Sequence, residues 1–155
     1  MKMFGVTQEL KESNRQYWGR ELGMCWQRLI VTLASMNCDD FQPALKVGDD
    51  EPCDLIVGKL AIDTKYRSGI GDSGTLKKFK QYGPLLREHG YEPVMIFLRS
   101  DNLPAAMTAI KSGGWQIVTG DESFALIRDL TGFDLLAWMS EQAGCYDITR
   151  GRDPL

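Results

Sequence analysis

Two aspartates and a lysine lie close together in the stretch Asp54-Leu-Ile-Val-Gly-Lys-Leu-Ala-Ile-Asp63-Thr-Lys65. Carboxylates beside an ammonium are the groups that hold a small hard cation and meet the charge of a phosphate. Their register is readable. Gly58-Lys59 is the Gly-X pair of a two-residue type II′ hairpin turn, flanked by Leu55, Val57, Leu60 and Ile62. Pairing about that turn sets Val57 opposite Leu60, Leu55 opposite Ile62 and Asp54 opposite Asp63. Side chains alternate along a strand, so Leu55, Val57, Leu60, Ile62 and Thr64 are expected to face the core. Asp54, Ala61, Asp63 and Lys65 are then expected on the opposite face, the face of the chemistry. Opposed residues have Cβ atoms roughly 5 Å apart, where like charges destabilise the pair. A shared proton, a bound cation or the Lys65 ammonium each relieves that repulsion. Only the cation gives all three groups one purpose: Mg²⁺, with substrate phosphate completing its shell and Lys65 meeting the charge that develops on it.

The elements that must position these residues follow from periodicity. Trp18, Leu22, Cys25, Trp26, Leu29, Ile30 and Leu33 recur at three- and four-residue intervals, predicting a helix from Thr7 to Ser35 in which Gly19 and Gly23 are weak points. An extended or looped stretch from Asn37 to Asp50 leads into the hairpin. The run Ser68 to Gly74 reads as a loop, and a helix follows from about Thr75 to Tyr82, broken or restarted by Gly83-Pro84. Strands are expected at 93–98 and 116–119, with a helix near 103–112 between them. A closing helix is expected over 122–142, with a dip at Thr131-Gly132. This alternation predicts an α/β sandwich with a mixed central β-sheet flanked by helices.

The 155 residues, 43% of them hydrophobic, suffice for one ordinary core, so residues 1–155 are expected to form a single domain. No secretory leader or membrane-length apolar run is visible, and a soluble cytoplasmic protein is expected. Cys25, Cys38, Cys53 and Cys145 lack zinc-site spacing and fit reduced thiols. The net charge is −3, but between Lys59 and Arg87 seven basic residues face only Asp63 and Asp72. Lys59, Arg67, Lys77, Lys78, Lys80 and Gln81 are therefore candidate DNA contacts beside the acids, because phosphate contacts dominate affinity for DNA.

Pro52-Cys-Asp54 … Asp63-Thr-Lys65 resembles the PD-(D/E)XK nuclease superfamily, with Cys53 inserted where the pattern sets Asp directly after Pro. The order helix, hairpin, helix, strand, helix, strand, helix matches that superfamily's core over roughly residues 15 to 140. Within it, Tyr17-Trp-Gly-Arg-Glu-Leu-Gly23 and the stretch from Asp63 to Gly83 look most like ApaLI-like type II restriction endonucleases. The resemblance implies a restriction-endonuclease-like fold and a Mg²⁺-dependent DNA endonuclease, with Mn²⁺ as a possible substitute, that leaves 5′-phosphate ends. It implies metal ligation by Asp54, Asp63 and the carbonyl of Thr64, catalysis by Lys65, and completion of the site by Glu21 from the first helix. Gln81 resembles a supporting glutamine of some members. Cutting both strands implies a homodimer or two binding events, and a subunit of a larger assembly is a further expectation. The rivals are a phage or repair nuclease that reads ends or branches, and a nuclease-fold subunit that binds DNA without cutting.

Two other motifs fall away. Gly69-Ile-Gly71-Asp-Ser-Gly74 fits GxGxxG, but the strand before it ends in charged residues, unlike the apolar first strand of a dinucleotide-binding fold. Gly71-Asp-Ser73-Gly74 is similar to the segment around a serine-protease nucleophile, yet the sole histidine, His89, comes after it, at a helix end where it fits a surface or capping role.

Overall fold

Thr7 and Asn14 each accept a hydrogen bond from the backbone N–H three residues on, so the N-terminal helical stretch is two helices, α1 (Gln8–Ser13) and α2 (Arg15–Asn37). Asn14, at φ −153°, ends the first and caps the second. Gly19 and Gly23 do not interrupt α2, because Leu22, Trp26, Ile30 and Ala34 bury one stripe along it. The computed structural model describes residues 4, 6–68, 73–143 and 145. Residues 69–72, in which the Gly-rich loop was expected, lie outside them.

The chain continues through β1 (Phe41–Pro43), β2 (Leu55–Val57), β3 (Leu60–Lys65), α3 (Ser73–Glu88), β4 (Glu92–Phe97), α4 (Pro104–Ser112), β5 (Gln116–Thr119), α5 (Asp121–Thr131) and α6 (Leu135–Gln142). Three expectations are corrected here. First, β1 falls where only an extended or looped stretch was expected; it pairs Phe41 with Val57 and sits at the sheet edge, where Pro43 is tolerated. Second, α3 runs through Gly83-Pro84. Proline cannot donate to the carbonyl four residues back, but the adjoining Phe79 carbonyl accepts from Trp115 Nε1 at 2.8 Å. Gly83 belongs to the same joint, since a Cβ there would stand 1.9 Å from the Gly113 carbonyl oxygen. Third, the closing helix divides in two: Gly132, at φ 69°, ends α5 at the predicted dip, and Asp134 caps α6.

The five strands form one mixed sheet in the order β1-β2-β3-β4-β5, antiparallel up to β3 and parallel from there on. The hairpin has the predicted register, Leu55 with Ile62 and Val57 with Leu60. Gly58 has φ 57° while Lys59, like every described non-glycine residue, does not have positive φ, which selects type II′ over type I′. Helices cover both faces. Trp26, Ile30, Leu55, Val57, Ile62, Val94, Ile96, Phe124 and Ile127 make one core layer under α2, α5 and α6. Ile56, Ala61, Phe79, Leu86, Met95, Phe97 and Ile110 make the other under α3 and α4. Each large side chain so buried contributes roughly 1.5–3 kcal/mol. The expectation of one core face and one open face of chemistry is therefore wrong: Ile56 and Ala61, on the face assigned to chemistry, are buried. Catalytic groups can emerge only where the strands end. No helix among the described residues is long and apolar enough to cross a membrane.

Candidate active site

Asp63, Thr64 and Lys65 close the central strand, and Asp54 immediately precedes β2. The Asp54 N–H donates to the Ile62 carbonyl at 2.8 Å, the partner of Leu55 and not of Asp54, so the regular ladder ends at Leu55. The expected backbone pairing of Asp54 with Asp63 is replaced by a bulge, and the two acids meet through their side chains. Asp54 itself lies in a bend, and its carboxylate turns to the end of β3. Oδ2 accepts from the Thr64 N–H at 2.7 Å and from the Thr64 hydroxyl at 2.6 Å, while Oδ1 accepts from Gln27 Nε2 at 2.7 Å. The Thr64 side chain thus serves the site, where alternation alone assigned it to the core. Backbone carbonyls alternate along a strand with period two, so the Thr64 carbonyl points to the same side as that of Ile62, toward Asp54.

Asp63 is 9% exposed, and its Oδ1 accepts from Lys65 Nζ at 2.6 Å. Burial pushes its carboxyl up to about 6; the Lys65 charge opposes that rise, and the Asp54 charge and a hydrogen bond with Asp54 add to it. For Lys65 burial acts downward, yet Asp63 and Asp54 outweigh it and hold the ammonium above the ordinary lysine range. The pair is therefore charged and strained by desolvation, a state that a second cation at the carboxylates relieves. Cys53, buried beside the acids, has its thiol raised by burial and by their charges, which disfavours its thiolate.

Lys65 also faces outward, into an open cleft of about 710 Å³ bounded by α1, the start of α2, the residues after β3 and the N-terminal part of α3. Asp54 and Asp63 do not line this cleft. Lys65 stands between them and it.

Comparisons with family models, with curated proteins and with solved structures return no match.

The other candidates are placed as follows. Glu21 is half-buried in α2 and has no hydrogen bond or ion pair among the described residues; at 3.6 residues per turn it lies about 120° around the helix from Gln27. Gln27 is the α2 residue that reaches the acids. Among the described residues no three His, Cys, Asp or Glu side chains converge as a metal cluster, so side-chain ligation of a cation here would rest on Asp54 and Asp63 alone. Two carboxylates, with a backbone carbonyl and water, fit Mg²⁺, which keeps several waters and uses substrate phosphate. Lys59, in the hairpin turn, is separated from Lys65 by the length of β3, roughly 20 Å, and is not beside the site. Lys77, Lys78, Lys80 and Gln81 are exposed on α3 but do not line the cleft, which α3 faces with Thr75 and Phe79. Lys78 pairs with Asp50 at 3.5 Å, and Tyr82 donates to the same carboxylate at 2.6 Å. Arg67 does line the cleft.

Four residues that the sequence reading passed over are at the site: Gln27 on Asp54, and Lys11, Arg15 and Arg99 in the cleft wall. The signal for Gln27 was its place four residues after Gly23, on the side of α2 that the glycines leave open.

Proposed function

We propose that this protein is a Mg²⁺-dependent nuclease with a restriction-endonuclease-like fold of the PD-(D/E)XK type, acting on DNA phosphodiesters. The observation that carries the reading is the convergence of Asp54, Asp63 and Lys65 at the end of the central strand, in two adjoining hydrogen-bonded sets, Asp54 with Thr64 and Gln27 and Asp63 with Lys65. Asp54, Asp63 and the Thr64 carbonyl would hold Mg²⁺. The ion, when bound, supplies Lewis-acid polarisation of the phosphate and a more acidic water. The Thr64 N–H, the Thr64 hydroxyl and Gln27 fix both oxygens of Asp54, so that little reorganisation is left for the reaction. Lys65, next to Asp63 at the mouth of the cleft, would orient the attacking water and stabilise negative charge on the phosphate oxygens. Water expels the leaving strand's 3′-oxygen and leaves a 5′-phosphate. A cytoplasmic setting, a homodimer or a place in a larger assembly belong to the same proposal. Restriction-type cutting of duplex DNA and cutting at strand ends or branches are its two substrate classes.

The test is incubation of supercoiled, linear, single-stranded and branched DNA with wild type and with Asp63→Ala, in Mg²⁺ and in chelator. Cleavage by wild type in Mg²⁺ alone, lost in the variant, is expected. No metal-dependent cutting of any of these substrates would leave a DNA-binding subunit as the better reading.

A further inference from the structure

The cleft beside Lys65 has the makings of a binding site that the acids do not account for. Lys11, Arg15, Lys65, Arg67 and Arg99 line it. Asp63 pairs with Lys65, and Asp101 holds both Arg67, at 3.3 Å, and Arg99, at 2.6 Å. Glu12, the one acid among the described residues of the wall, accepts from Gln8 at 2.9 Å. Among the described residues five cations thus face three acids, and two positive charges remain. Lys11 and Arg15 form no ion pair among the described residues.

Tyr66 lies at the centre of this arrangement. Lys11 Nζ stands 5.1 Å and the Arg99 guanidinium carbon 6.0 Å from its ring centroid, so two cations converge on one ring. Tyr66 is 5% exposed and lines the cleft, and its buried hydroxyl, beside the Arg99 guanidinium, donates to no acceptor among the described residues. Buried hydroxyls are almost always satisfied, so an orphan among cations marks a place where an acceptor belongs. The wall opposite contains Gly19, and a Cβ added there would meet nothing within 4 Å.

We propose that this cleft binds the terminal phosphate of a single nucleic-acid strand, so that the neighbouring acids act at strand ends rather than within intact duplex. A terminal phosphomonoester carries close to two negative charges and three strong acceptor oxygens. That matches the two uncompensated cations and the unpaired hydroxyl better than an internal phosphodiester does. The volume, about 710 Å³, is that of a small-ligand pocket, room for about two nucleotides and not for a duplex. The inference rests on the nuclease reading for its substrate class.

The test is fluorescence anisotropy of the full chain in chelator at fixed salt. The probes are short single-stranded DNAs ending in a 5′-phosphate, in a 3′-phosphate or in hydroxyls at both ends, with inorganic phosphate as competitor. One phosphorylated end is expected to bind at least tenfold more tightly than the hydroxyl form, and which end it is names the polarity. Tyr66→Phe is expected to cut that preference to threefold or less, and Gly19→Leu, which fills the cleft, to abolish it. Neither variant is expected to lose stability: the first removes an unsatisfied hydroxyl and the second replaces a helical glycine with a better helix former. Equal affinity for all three ends, or a preference unchanged by both variants, would overturn the proposal. An end preference without metal-dependent cutting keeps the cleft and removes the nuclease; cutting without the preference does the reverse.

Discussion

Replacing Asp63 by asparagine should make the metal-free protein more stable at neutral pH. The Asp63 carboxyl, ordinarily at 3.8, stands at about 6 in the folded chain, with burial as the leading cause. Ionising it at pH 7 therefore costs the fold about 3 kcal/mol, from roughly 1.36 kcal/mol for each tenfold change in acidity. The sign follows from proton binding. The folded state holds this proton more tightly than the unfolded chain, so stability is greatest below about pH 4, falls as pH rises to about 6, and is level above that. The Asp63→Asn side chain has no such dependence, but it leaves Lys65 without its anion, which offsets part of the gain. A net stabilisation of about 1–3 kcal/mol at pH 7 is expected, a rise in Tm of about 3–8 °C for a chain of this size, shrinking toward zero at pH 4. Mg²⁺ narrows that gap. At ten times its dissociation constant it stabilises wild type by about 1.4 kcal/mol and leaves Asp63→Asn unchanged. Urea unfolding of both proteins from pH 4 to 7.5, in chelator and in Mg²⁺, reads all of this. A variant no more stable than wild type at pH 7 in chelator refutes the argument that burial strains this carboxylate.

Three further outcomes are expected. Gln27→Ala, which frees Oδ1 of Asp54, should raise the Mg²⁺ concentration for half-maximal cleavage about tenfold with little change in Tm, since Gln27 is exposed; an unaltered metal titration would leave Gln27 without a role. Gly83→Ala drives a methyl into the Gly113 carbonyl and should cost about 2–3 kcal/mol in a denaturant midpoint; a cost below about 1 kcal/mol would show that α3 and α4 separate easily. The double variant Lys77→Gln, Lys80→Gln removes charges outside the cleft and should weaken binding of single-stranded DNA less than threefold, whereas a larger loss would return α3 to the binding surface.

What was legible before the structure was whatever neighbouring residues decide. The turn at Gly58-Lys59 and the apolar positions around it define the hairpin register as far as Leu55 and Ile62, while the departure at Asp54 was not legible. Gly132 marks a helix end because its conformation is local. β1 was not legible, because three residues ending in proline become a strand only by pairing with β2. The continuity of α3 depends on an indole 31 residues beyond Pro84, which no local rule contains. The same holds for the site. Gln27 meets Asp54 across 27 residues of chain, and Lys11, Arg15 and Arg99 come together from three separate segments. Lys59 misled for the converse reason: it is near Lys65 in sequence, but an extended strand lies between them.

The central claim, that Asp54, Asp63 and Lys65 hydrolyse phosphodiesters together, is tested most directly by single-turnover cleavage of end-labelled single-stranded DNA in Mg²⁺ by wild type and Lys65→Gln. Folding of the variant is checked by its Tm. The predicted result is metal-dependent cutting by wild type to 5′-phosphate products and a rate at least a hundredfold lower in the variant. A folded Lys65→Gln that cuts within tenfold of wild type would contradict the account.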